Sequence, residues 1–331
     1  MREFAYLRPT VAEEAVALLA ASPDARCLAG GTNLVDLMKL GVEQPRLLVD
    51  LGRLPLDRVA PLPDGGLRIG ALVRNGDLAA HPAVRAAYPA VARAVLSGAS
   101  GQLRNRATTA GNLLQRTRCL YFQDVTKPCN KREPGSGCPA REGVHRDLAV
   151  LGASDHCIAT HPSDLAVALT ALDATVELLG PDGPRSLSIT DLYRLPEDRP
   201  DLENRLLPGE LITAVALPPA GPEVRSDYRK ARDRASFAFA LASVAVCLTV
   251  REGRIADAKL AFGGLAPKPW RARAAEDLLL GALPEEANFA AAVEAELAAA
   301  RPLRDNGHKV PLAHNLMVRV LVELTERGGH G

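Results

Sequence analysis

This chain is short of aromatic residues, which fill 4% of its 331 positions, so each one is informative. It has almost no charge of either sign to spare: 40 Lys and Arg face 39 Asp and Glu. A net charge of +1 leaves no electrostatic footprint for nucleic acid. No run of about 18 apolar residues occurs, so no membrane-spanning helix is expected. The opening MREFAYLRPT lacks a basic stretch followed by an apolar one, so no signal peptide of its own is expected. Six Cys are too few for a disulfide scaffold. G-x-G-x-x-G, a Walker loop, G-x-S-x-G and H-E-x-x-H are all missing, which argues against a Rossmann nicotinamide site, the common hydrolases and the zinc proteases. The rest is ordinary globular composition, and the length suggests about two domains.

The six Cys are unevenly placed. Cys27 and Cys247 stand alone in apolar stretches and read as small buried hydrophobes. Cys119, Cys129, Cys138 and Cys157 crowd into one segment rich in charge, Pro and Gly, which cannot bury a thiol in a core of its own. Disulfides would need an oxidising compartment. Zinc sites usually pair ligands at C-x2-4-C spacing, whereas here nine, eight and eighteen residues intervene. Four thiolates on a long loop also suit a larger iron–sulfur core. Spacing alone leaves zinc and a [4Fe–4S] cluster both open. Lys127, Lys131, Arg132 and Arg141 would offset thiolate charge and lower the thiol pKa values.

Along the chain, residues 1–55 read as a compact βαβ unit. Within it, AEEAVALLA and TNLVDLMKLG are helical, and ARCLAGG and PRLLVDL are parallel strands. Strands follow in LRIGAL, TVELLG and ELITAVALP. A helix over about 83–97 is broken or kinked by Pro89. HPSDLAVALTALDA starts a helix in which Ser163 caps and Asp164 favours the first turn. PPAGPEVRS, 218–226, reads as a linker. Beyond it, FALASVAVCLTV and RIADAKLAFGG form an antiparallel pair joined through REG, followed by helices near 273–281, 287–299 and 312–327.

Two loops carry Gly, Thr and Asn together. The first is Leu28, Ala29, Gly30, Gly31, Thr32, Asn33 and Leu34, between a strand and a helix. The second runs through Arg106, Ala107, Thr108, Thr109, Ala110, Gly111 and Asn112. Glycine permits sharp turns and close backbone approach, and free N–H groups at a helix start attract anions. Each loop alone is also what a plain tight turn looks like. Together they suggest a large ligand with a pyrophosphate between them.

At these residues the sequence resembles the FAD-binding subunits of the molybdenum hydroxylases, the xanthine dehydrogenase and carbon monoxide dehydrogenase family. LAGGTNLVDLMK and QLRNRATTAGNL are similar to its two flavin-pyrophosphate loops. HPSDLAVALTALDATVEL resembles the segment after them, and YRKARDRASFAFALASVAV with FGGLAPKPWRA resembles the start of its C-terminal domain. The insertion RTRCLYFQDVTKPCNKREPGSGC is similar to the flavin subunit of periplasmic-type aldehyde oxidoreductases, a subgroup whose FAD subunit binds a [4Fe–4S] cluster.

The resemblance implies an α+β fold: a two-part FAD-binding domain of vanillyl-alcohol-oxidase type plus a smaller C-terminal α/β domain with an antiparallel sheet. The implied bounds are 1–220, divided into 1–55 and 56–220 with the Cys-rich loop at 115–160, then 221–331. It implies FAD held by Leu28 to Leu34 and by Ala107, Thr108, Gly111 and Asn112. Ser163 and Asp164 would lie near the phosphates and ribityl chain. Lys230, or Arg229 in the other register, would lie near the isoalloxazine. Tyr193 is the candidate aromatic over the ring, with a surface tyrosine as the plain alternative. Cys119, Cys129, Cys138 and Cys157 would ligate the [4Fe–4S] cluster, and no catalytic side chain is assigned. The implied partners are a molybdenum-cofactor subunit, a [2Fe–2S] subunit and a small-molecule or protein electron acceptor. The implied location is the periplasm, by co-export with a partner subunit, or the cytoplasm. Two other readings stand beside this one: a stand-alone FAD oxidoreductase, and a zinc-stapled binding module without redox role.

Overall fold

The computed structural model describes residues 1–326. Three sheets are laid down in chain order. The first is small and parallel, with Leu47–Asp50 between Ala5–Leu7 and Ala25–Leu28. Helix Ala12–Ala21 packs Ala15 and Val16 against Val49 and Leu51 of this sheet. Helix Leu34–Lys39 makes the second crossover and ends at Gly41, whose φ of +77° suits a residue without Cβ. The exposed three-residue strand Ala5–Leu7 is absent from the sequence reading, being too short to show a period.

The second sheet has five antiparallel strands, in the order Val59–Pro61, Leu67–Gly70, Leu211–Leu217, Thr175–Gly180 and Gly183–Ser188. Helices Pro89–Ser97 and Asp164–Ala171 belong to the core beside it. The segment predicted as one helix over 83–97 is two, Pro82–Ala87 and Pro89–Ser97. Each carries Pro in its first turn, where the missing N–H costs nothing. Every residue of Asp164–Ala171 is buried, and Ser163 Oγ caps it by accepting from Ala166 N at 2.9 Å.

The third sheet runs Trp270–Arg271, Arg254–Gly263, Ala242–Arg251, Arg225–Ala231, all antiparallel. The hairpin turn is Glu252–Gly253 with φ of 51° and 71°, positive at both central residues as a tight hairpin requires. Strand Ala242–Arg251 is buried on both faces. Val244, Val246 and Leu248 pack on helices Arg273–Leu279, Glu286–Leu297 and Lys309–Glu326, while Ala245 and Cys247 join the core of the second sheet. Cys247 is thus a small core hydrophobe, its thiol pushed up to about 12 by burial. Strand pairing begins at Arg225, so the linker is shorter than 218–226.

Candidate functional site

The two small-residue loops meet. The first leaves strand Ala25–Leu28, turns through Gly31 at φ +75° and enters helix Leu34–Lys39; residues 28–34 are all half-buried. The second ends in the short helix Thr109–Leu113, where Thr108 Oγ1 accepts from Gly111 N at 3.3 Å. A Cβ on Gly30 would lie 2.2 Å from the Arg106 carbonyl oxygen and 3.1 Å from Ala107 Cα. The bare Cα of Gly30 admits the backbone of the other loop.

Side chains complete the junction. Asn33 Oδ1 accepts from Arg116 N at 2.9 Å, fastening the first loop to the chain just beyond the second. Ser163 Oγ donates to Asn112 Oδ1 at 2.6 Å, fastening the second loop to the buried helix. Three segments far apart in sequence therefore form one surface. Asn33 Nδ2 is buried there without a hydrogen-bond partner, and a buried amide donor left so costs about 1–3 kcal/mol. With Gly111 exposed and its Thr108 cap beneath it, this donor fits a polar, phosphate-bearing ligand such as FAD.

Asp164 and Lys230 are brought together. Asp164 Oδ2 accepts from Lys230 Nζ at 2.8 Å, and Oδ1 accepts from the Tyr228 hydroxyl at 2.5 Å. Lys230 Nζ also donates to the Ser97 carbonyl at 3.1 Å. Strand alternation sends Arg229 the other way, to a two-pronged pair with Glu323. Lys230 is thus committed to a buried pair and does not line the neighbouring cavity. That cavity, about 870 Å³ counted with its open mouth, is walled by Ser163, Asp164, His161, Arg118, Phe239 and Gly264 among others. Its cation is Arg118, whose guanidinium sits 5.1 Å from the Phe239 ring centre and whose pKa is lowered by burial. The sequence reading passed over Arg118; its only signal is a position next to Cys119.

Tyr193 is buried, which removes the surface alternative. Its hydroxyl donates to the Leu113 carbonyl at 3.1 Å, and its ring meets His161 edge-on at 4.5 Å. Burial pushes the His161 imidazole down to about 4.

The four clustered thiols line one cavity of about 310 Å³, counted with its open mouth. Cys119 and Cys157 are buried, Cys129 and Cys138 half-buried, and all four are free. The loop borrows its core from outside, from Leu37 and Leu303, packed with Phe122, Ala140 and Ile158. Side chains take the place of regular structure: Asn130 Oδ1 accepts from Gly137 N at 2.7 Å, and Ser136 Oγ accepts from Cys129 N at 3.0 Å.

The expectation that the loop cations lower the thiol pKa values fails. Burial pushes Cys119 up to about 11 and raises Cys138 and Cys157. Arg132 donates to the Tyr121 and Phe122 carbonyls, and Arg141 to the Ser154 carbonyl, so neither reaches the thiols. Lys131 acts as predicted, favouring the Cys157 thiolate against its burial. Among the described residues no three His, Cys, Asp or Glu side chains converge on a point that would hold one metal ion. Four thiols on one cavity wall are a donor set suited to a soft metal ion or an iron–sulfur group.

Residues 2–220 match the family described as FAD binding domain in molybdopterin dehydrogenase, and residues 226–324 match the CO dehydrogenase flavoprotein C-terminal domain. The chain is 51% identical, over 98% of its own length and 98% of the relative's, to the aldehyde oxidoreductase FAD-binding subunit PaoB of Escherichia coli. It is 28% identical to the glyceraldehyde dehydrogenase medium chain of Sulfolobus acidocaldarius, over 84% of this chain and 82% of that one. Among solved structures, carbon monoxide dehydrogenase from Hydrogenophaga pseudoflava superposes with a TM-score of 0.77 at 26% identity, covering 98% of both chains.

Proposed function

Since the chain belongs to the family of FAD-binding subunits of molybdenum hydroxylases and is an oxidoreductase subunit, we propose that it serves as the flavin relay of an aldehyde oxidoreductase. In this reading an aldehyde is oxidised in a partner subunit holding the molybdenum cofactor. Electrons reach this chain through a [2Fe–2S] subunit and leave it for a small-molecule or protein acceptor. FAD, when bound, supplies the ability to take up electrons singly and release them as a pair. The chain's own share is grip and exclusion. Leu28 to Leu34 hold the pyrophosphate from one side, with the Asn33 amide as donor. Ala107, Thr108, Gly111 and Asn112 hold it from the other. Ser163 ties these loops to the buried helix, and the Lys230–Asp164 pair keeps the start of that helix neutral overall. The end-to-end similarity to an aldehyde oxidoreductase subunit is the observation that supports this reading best.

The same reading gives Cys119, Cys129, Cys138 and Cys157 to a [4Fe–4S] cluster, and the shared cavity supports it. Cys129→Ser is expected to lose iron and keep FAD; unchanged iron content contradicts the assignment. The location proposed is the periplasm, by co-export with a partner subunit, with the cytoplasm as alternative; fractionation of the native complex decides. The relay is tested by assaying the isolated chain and the assembled complex with aldehydes and an acceptor dye. Turnover belongs to the complex alone. An isolated chain that oxidises an organic substrate would instead be a stand-alone flavoenzyme.

A further inference from the structure

The four thiols share their cavity wall with Lys131, the one Lys or Arg among the described residues that line it. Lys131 is 8% exposed and also lines a second cavity, with Leu113, Gln115, His161 and Tyr193. Its Nζ lies 2.9 Å from Glu203 Oε1 and donates to the Pro200 carbonyl at 3.0 Å. Glu203 Oε2 is held by Arg116 Nε at 2.5 Å, and Arg116 Nη1 reaches Glu43 Oε1 at 2.6 Å. Charge therefore alternates outward from the cysteine cavity: ammonium, carboxylate, guanidinium, carboxylate. Of these four groups the ammonium is the one that acts on a cavity thiol, favouring the Cys157 thiolate. The other titratable groups on that wall besides the thiols are Tyr121, half-buried with its hydroxyl accepting from Val144 N at 2.8 Å, and His156, which is exposed.

We infer that Lys131, aimed by Glu203, is a positioning cation that sets the reduction potential of the iron–sulfur group held by Cys119, Cys129, Cys138 and Cys157. The inference rests on the cluster reading above. Four thiolates bring four negative charges, and each reduction adds one electron without making or breaking a bond at Lys131. A nearby cation in a poorly screened interior favours the electron-richer state. Lys131→Met removes that cation and leaves Glu203 held in place by Arg116, its charge no longer neutralised on the cavity side. Both effects lower the potential. Glu203→Gln removes the carboxylate and leaves Lys131 anchored by the Pro200 carbonyl, so the potential rises.

The test uses the assembled complex, with iron and acid-labile sulfide counted per chain. The cluster midpoint is followed by low-temperature electron paramagnetic resonance, with dithionite as electron donor and ferricyanide as acceptor. The midpoint should fall in Lys131→Met, rise in Glu203→Gln and stay near wild type in Lys131→Arg. A general loosening of the loop would not move two variants in opposite directions. Unmoved midpoints at full iron content, or shifts of the same sign, overturn the tuning role and leave the cluster standing. A wild-type complex with no iron on this chain removes the cluster and the inference together. If Lys131→Met retains no iron, the sign of the Glu203→Gln shift decides: a rise supports the inference, and no change or a fall overturns it.

Discussion

Gly30→Ala tests the junction of the two loops at a single atom. The added Cβ would sit 2.2 Å from the Arg106 carbonyl oxygen and 2.9 Å from its carbonyl carbon. Both are backbone atoms, so no side chain can swing away to relieve the contact. The loops must part, and overpacking of this kind costs about 1–3 kcal/mol. If FAD binds only to the closed junction, the whole cost falls on its affinity. At 1.4 kcal/mol per tenfold, the dissociation constant rises by about 5- to 150-fold. The assay is titration of flavin-stripped protein with FAD, read by flavin fluorescence quenching, with thermal unfolding run alongside. Gly101→Ala is the control, because a Cβ there meets nothing within 4 Å and φ is not positive. A Gly30→Ala protein that binds FAD like wild type would refute the idea that this contact shapes the flavin grip.

Lys230→Met leaves Asp164 buried without its cation, and breaking a buried pair from one side costs about 3–5 kcal/mol. Urea unfolding should show a loss of that order; a loss below about 1 kcal/mol contradicts the pairing. Gly111→Val should release FAD, because its Cβ would press on Thr108 Oγ1 at 2.9 Å and disturb the cap beneath the loop. A fully loaded yellow variant contradicts this. Lys309 is fully buried, donates to the Asp147, Leu148 and Gly264 carbonyls, and is pushed down to about 7 by burial from a usual 10.5. The folded chain then binds fewer protons than the unfolded chain between those values. Stability conferred by this site therefore rises with pH above about 7 and is flat below it. The stability difference between wild type and Lys309→Met should grow in favour of wild type from neutral to alkaline pH. A pH-independent difference contradicts the burial argument.

What the sequence disclosed follows the range of the forces involved. Local signals read well: Ser163 as a cap, Pro89 as a break and Arg251–Arg254 as a tight hairpin are each decided within a few residues. The final helix begins at Lys309 rather than near 312, because Pro311 is tolerated in a first turn and the buried ammonium anchors the start. The loops were legible as Gly, Thr and Asn clusters. Their contact was not, because Gly30 and Arg106 lie far apart in the chain. Lys230 and Arg229 could be separated only once the strand register was known. The thiol environment misled for a related reason. Local composition shows the loop's cations, but burial of the thiols depends on Leu37 and Leu303, which come from other parts of the chain.

The central claim is that the joined loops hold one FAD. Native protein should release one FAD per chain on denaturation, counted by absorbance against protein concentration, and Gly30→Ala purified in parallel should release clearly less. Wild-type chain that comes from its native source colourless, releasing no flavin, would contradict the account.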